Sequence, residues 1–110
     1  GLGDVYKRQE RYDMISYHIE RRTGMSQIGV HPRISERHPE VSDADVMAAM
    51  RSMIRYKQRE SGEWIAVGTD SRSRLVELVY IYDADDDYFF VYHGMTPPSG
   101  KTLRELGLER

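Results

Sequence analysis

The sequence predicts an α+β fold with two N-terminal helices, a three- or four-stranded antiparallel β-meander and a short C-terminal helix. Three observations predict it. Ser42 followed by Asp45, with Val41 and Val46 on either side, is the signature of a capped helix start. Three runs rich in β-branched and aromatic residues then follow, beginning at Trp64, Leu75 and Tyr88, with polar turns at 69–73 and 83–87. Finally Pro97, Pro98 and Gly100 form a loop before a last short helical pattern.

Each element has a local cause. Pro32 suits the first turn of a short helix, where a missing N–H costs little, and Pro39 disfavours helical geometry at His38 and ends it. The capped helix is expected over Asp43–Met53. Val46, Met47, Met50, Met53 and Ile54 recur at helical spacing, and Asp43 and Asp45 put negative charge at the positive end of its dipole. The three methionines read as flexible core packing. The basic stretch 55–60 reads as an edge strand that pairs with the next run, its charges discouraging aggregation. It also offers a basic surface of Arg51, Arg55, Lys57 and Arg59 with Tyr56 interleaved. The run from Leu75 is apolar on both alternating sets, as a central strand covered on each side would be. The last helix is expected over Lys101–Leu106 with Gly107 at C′. The expected layering puts the helices on one face of the sheet.

Domain organisation follows from the ends. Residues 1–9, GLGDVYKRQ, read as the translation of a sequencing adapter and are set aside as a non-native scar. Residues 10–27 are expected to be a poorly ordered or non-native extension, and 28–110 a single domain. Met14 and Met25 are the candidate native starts. Without the first nine residues, 14 basic residues face 17 acidic ones, a net charge of −3. Such a chain has no overall attraction to nucleic acid, so any binding must come from a local patch. Cysteine is absent, which excludes disulfides, thiolate metal sites and a cysteine nucleophile. No apolar run reaches the roughly 18 residues of a membrane span, and a cytoplasmic location without membrane contact is the expectation.

Arg37-His38, Val41-Ser-Asp-Ala-Asp-Val, Trp64-Ile-Ala-Val-Gly, Arg74-Leu-Val-Glu-Leu-Val and Val91-Tyr-His-Gly-Met-Thr-Pro-Pro stand in that order. Together they resemble the small BrnT-like toxins of the RelE-type superfamily, over about residues 33–108. This sequence departs from the pattern at Gly94, where alanine is usual, and at Ser73, where a turn glycine is common. A Thr-Pro-Pro-Ser-Gly loop also replaces a basic helix start. The resemblance implies the toxin of a type II toxin–antitoxin module: a ribonuclease that works without metal or other cofactor. Its implied partners are RNA, with messenger RNA the candidate target, and a cognate antitoxin protein; no DNA contact by this chain alone is implied. The alternative is a catalytically silent module that keeps the toxin fold to dock its partner.

Metal-free RNA cleavage needs a base for the 2′-hydroxyl, an acid for the leaving 5′-oxygen and cations for the charged intermediate. Histidine titrates near neutrality and arginine grips phosphate with two parallel bonds. The candidate catalytic residues are therefore His93, Arg74 and His38, with Arg37, Arg33 and Lys101 as RNA-binding auxiliaries. Gly94 is expected to let a backbone or ligand approach His93. Structural roles stand beside each. His93 caps the end of a strand, His38 orients the segment 39–42, and Arg74 is a surface charge at a strand start. Tyr80, Tyr82 and Tyr92 are expected to pack, with a rim tyrosine able to stack on a base. The acids between 83 and 87 read as a solvated turn, since an EF-hand's glycine and distal glutamate are missing.

Overall fold

A computed structural model describes residues 27–109 together with the backbone of 15–17. The adapter segment and most of the expected N-terminal extension lie outside the described residues. The order is β1 (Ile15–Tyr17), β2 (Gln27–Val30), α1 (Arg33–Arg37), α2 (Asp43–Arg51), β3 (Met53–Gln58), β4 (Trp64–Thr69), β5 (Leu75–Asp83), β6 (Tyr88–Met95) and α3 (Gly100–Glu105). The class is α+β. Among the described residues no helix is long and apolar enough to cross a membrane.

The sheet differs from the expected three or four antiparallel strands. It is mixed and has six strands in the order β1-β2-β6-β5-β4-β3. Strands β3 to β6 pair antiparallel with their sequence neighbours, while β2 lies parallel to β6 and β1 antiparallel to β2. Strand β2 is short and includes Gly29, whose missing side chain leaves the space that the Tyr88 hydroxyl fills.

The helices also depart from the expected single layer. Ile34 of α1 and Val46, Met47 and Met50 of α2 pack with Val76, Leu78, Tyr80 and Val91 on one face. Leu106, closing α3, packs on the other face with Ile65, Val67 and Val79. Alternate residues of a strand point to opposite faces, so a strand apolar on both sets needs a cover on each.

Helix α2 starts as its residues dictate. Asp45 N–H donates to Ser42 Oγ at 3.1 Å and Ser42 N–H to Asp45 Oδ2 at 2.9 Å, a complete capping box. The helix ends at Arg51, before the expected Met53. Met53 and Ile54 keep the helical spacing but belong to β3, where the register slips between Met53 and Arg55 and leaves Ile54 exposed.

Candidate functional site

Strands β5 and β6 position the first group. Val79 pairs with His93 but Tyr80 pairs with Val91, so Tyr92 is an extra residue in β6. Beside this bulge His93 Nε2 lies 2.7 Å from Glu77 Oε2. Glu77 is buried, and its other oxygen accepts the Ser99 backbone N–H and hydroxyl, each at 3.0 Å. Ser99 also caps α3 by accepting the Thr102 N–H. Burial alone would push the Glu77 carboxyl up. The bonds from His93, Thr102 and Ser99 outweigh it and hold the group down at about 2. Glu77 is therefore a carboxylate at any ordinary pH, and Nε2 of His93 carries the proton between them. That leaves Nδ1 as the ring atom available for proton transfer.

Helix α1 supplies the second histidine. Its start is fixed to β6: His31 N–H donates to Val91 O at 2.9 Å and Arg33 Nε to Tyr92 O at 3.1 Å, with the guanidinium over the Tyr92 ring. His31 Nδ1 accepts the Arg33 N–H, and burial followed by the field of Arg33 lowers the His31 pKa. Five helical residues later, His38 caps α1, its N–H bonded to Ile34 O. Its ring meets the His93 ring edge to face, with centroids 5.9 Å apart and planes at 89°. His38 Nδ1 is 3.6 Å from Glu40 Oε2, an ion-pair distance beyond hydrogen-bond reach. Both rings keep access to solvent, the side chains being 29% and 32% exposed for His38 and His93.

Gly94 does not open a path to a ligand. A Cβ there would stand 3.2 Å from Ile34 Cγ2 and 3.5 Å from Val46 Cγ2, so the glycine lets α1 and α2 approach the sheet.

Arg74 sits in a different environment. Its Nε donates to Asp70 Oδ2 at 2.7 Å, and one Nη donates to Asp45 Oδ2 at 3.1 Å and to Glu40 O at 3.0 Å. Asp70 also accepts the backbone N–H groups of Arg72 and Arg74, closing the turn between β4 and β5. Arg72 adds a second bond to Asp45. Burial pushes both carboxyls up, but the bonds from Arg74 and Arg72 bring Asp70 below the usual aspartate range, and the capping bonds from Ser42, followed by the fields of Arg72 and Arg74, do the same for Asp45. Arg74 thus clamps the start of α2 and the segment before it to the β4–β5 turn. A link toward the histidines runs through Glu40, whose carbonyl Arg74 bonds and whose carboxylate lies 3.6 Å from His38 Nδ1.

Arg33 bonds the carbonyl of Tyr92, the residue before His93, and Arg37, exposed at the end of α1, precedes His38 directly. Lys101 is exposed on α3, where its field reaches Glu105. Sequence reasoning assigned no role to Glu77, Ser99 or Asp70. Glu77 carried a signal: it is the one acid in the interior of a strand apolar on both faces, and a buried carboxylate requires partners. Of the tyrosines, Tyr80 is buried, Tyr92 bonds Glu63, and Tyr82 bonds Asp87 within the acidic turn. Among the described residues no three of His, Asp and Glu are grouped so as to hold a metal ion.

No protein family, curated protein or solved structure matches the chain.

Proposed function

We propose that the chain is a metal-independent endoribonuclease, the toxin of a toxin–antitoxin pair, acting through His93 and His38. One observation carries this: two histidines distant in sequence have solvent-accessible rings in contact, and one of them is held by a buried carboxylate. The carboxylate is too weak a base to take the proton itself, but its hydrogen bond fixes the ring. His93 then removes or returns a proton at Nδ1 as the 2′-hydroxyl attacks the neighbouring phosphorus and the P–O5′ bond breaks. His38 serves as the complementary acid or base, and Arg33 and Arg37 supply positive charge for the phosphate. Arg74 acts in this scheme as a positioning residue for the segment that carries His38 and Glu40.

The test is incubation of the purified protein with RNA in EDTA. Cleavage by the unaltered chain is expected, reduced roughly 10²–10⁴-fold in His93→Ala, a loss of the size general acid–base catalysis contributes. Undiminished cleavage by a folded His93→Ala variant, or by His93→Ala combined with Arg74→Ala, would sink the assignment. The silent docking module is the second reading, favoured by the saturation of Arg74 with carboxylates. It expects no cleavage by any variant and tight binding of the neighbouring gene product.

A further inference from the structure

One edge of the sheet is β3, which has no strand on its outer side among the described residues. Two of the three large hydrophobic residues that are exposed among the described residues lie on it, Ile54 at 52% and Tyr56 at 60% exposure. Tyr56 stands at the mouth of a groove of about 470 Å³ that it shares with Met53, Trp64, Tyr80, Tyr82 and Phe89. These rings form a continuous row across four strands. Tyr56 lies 6.0 Å from Trp64, Trp64 is parallel to Tyr80 at 6.2 Å, and Tyr80 meets Phe89 at 5.5 Å. Helix α2 covers this face only as far as Met50 and Arg51, which line the groove.

The two faces of β3 differ in kind. Tyr56 pairs with Ala66, a core residue beneath α2, and so lies on the groove side. Arg55 and Lys57 pair with Val67 and Ile65 on the α3 side, where Arg55 Nη1 donates to Leu106 O at 3.0 Å. The edge therefore presents, in alternation, an aromatic surface and a cationic one. A strand added beside it would place its residues in the same alternation.

We infer that β3 is a strand-addition site for an extended segment of a partner protein whose residues alternate apolar with acidic. Its apolar residues would enter the aromatic groove beside Tyr56 and Trp64, and its acids would face Arg55 and Lys57. A second copy of this chain is the poorer occupant, because pairing two β3 edges brings the cations of one near those of the other, and like charges across strands destabilise pairing. The same cations that guard the edge against its own kind select an acidic partner. The inference holds whether or not the histidine site cleaves RNA.

Trp64 is the only tryptophan in the chain, so its emission reports the groove directly. The probe is a short capped peptide alternating valine with glutamate, titrated into the full chain at low salt. A saturable shift of the Trp64 emission is expected. Affinity should fall at least about tenfold for a peptide with lysine in place of glutamate, one desolvated charge pair being worth that much. It should fall likewise for the peptide N-methylated at alternate backbone positions, and Lys57→Glu should weaken the glutamate peptide while strengthening the lysine one. No emission change, equal binding of the lysine or N-methylated peptide, or a concentration-dependent dimer dissolved by Tyr56→Lys would each overturn the inference.

Discussion

The Arg74 cluster and the His93 cluster both neutralise buried carboxylates near the start of β5, yet they do so with opposite consequences. Around Arg74 the cation is permanently charged and bonded to Asp70, Asp45 and a backbone carbonyl. Around His93 the partner of Glu77 is an ionisable ring that touches a second histidine and reaches solvent. The first arrangement has no proton to give and one task, which is to join the start of α2 to a turn. The second can hold or release a proton at an atom outside the pair. Burial of charge is common to both, so burial does not mark a site of chemistry; what matters is whether the partner can change its charge.

The comparison breaks first at the clamp. Arg74→Ala strands two carboxylates with too few partners, and loss of one member of a buried pair costs roughly 3–5 kcal/mol. Urea unfolding should show a loss of that size. Molecules of this variant that remain folded should lose less RNA cleavage than His93→Ala, because Arg74 positions the segment that carries His38 and moves no proton itself.

Glu77→Gln should cost less, about 2–3 kcal/mol, because the amide still accepts from Ser99 while the charge-assisted bond to His93 is lost. The same substitution sharpens the comparison through pH. Glu77 titrates at about 2 in the folded chain against an ordinary value of 4.5. Its contribution is therefore complete above about 4.5 and disappears as pH falls toward 2, where the unfolded chain binds its proton first. Unfolding followed between these limits should show a shallower pH slope in Glu77→Gln, with Asp45, Asp70, Glu63 and Glu105 supplying what remains.

The smallest effect belongs to the turn above the clamp. Ser73 has φ of 62°, in the left-handed region that a side chain disfavours. Ser73→Gly should raise stability by roughly 0.5–1 kcal/mol, the strain relieved exceeding the entropy that glycine brings to the unfolded chain. A lowered urea midpoint would show that the Ser73 side chain stabilises the turn in a way its backbone angle does not reveal.

What could be read in the sequence was what neighbouring residues determine. Ser42 and Asp45 form their capping box with each other, so the start of α2 needed no knowledge of the fold. Its end did, because Met53 and Ile54 satisfy the helical spacing and only the pairing of Met53 with Gly68 makes them strand. Strand β2 was missed for the same reason: Gln27–Val30 becomes a strand by lying beside β6, far along the chain. The side of the sheet that Leu106 covers is likewise a matter of topology. At the site, His93 and His38 were legible as residue types, but their contact depends on His31 and Arg33 fixing α1 to β6. Arg74 was legible as a cation at a strand start, and its saturation rests on Asp45, which only the packing of α2 brings near.

The most direct measurement of the central claim is the chemistry of the ends produced when the chain cuts RNA in EDTA. Attack by the 2′-hydroxyl with His93 and His38 moving the protons leaves a 2′,3′-cyclic phosphate and a 5′-hydroxyl. Those ends should appear with the unaltered chain and be lost in the folded fraction of His93→Ala, a variant that also loses the charge-assisted bond to Glu77 and about 2–3 kcal/mol of stability with it. A 3′-hydroxyl with a 5′-phosphate, or cyclic-phosphate ends made equally fast by folded His93→Ala, would contradict it.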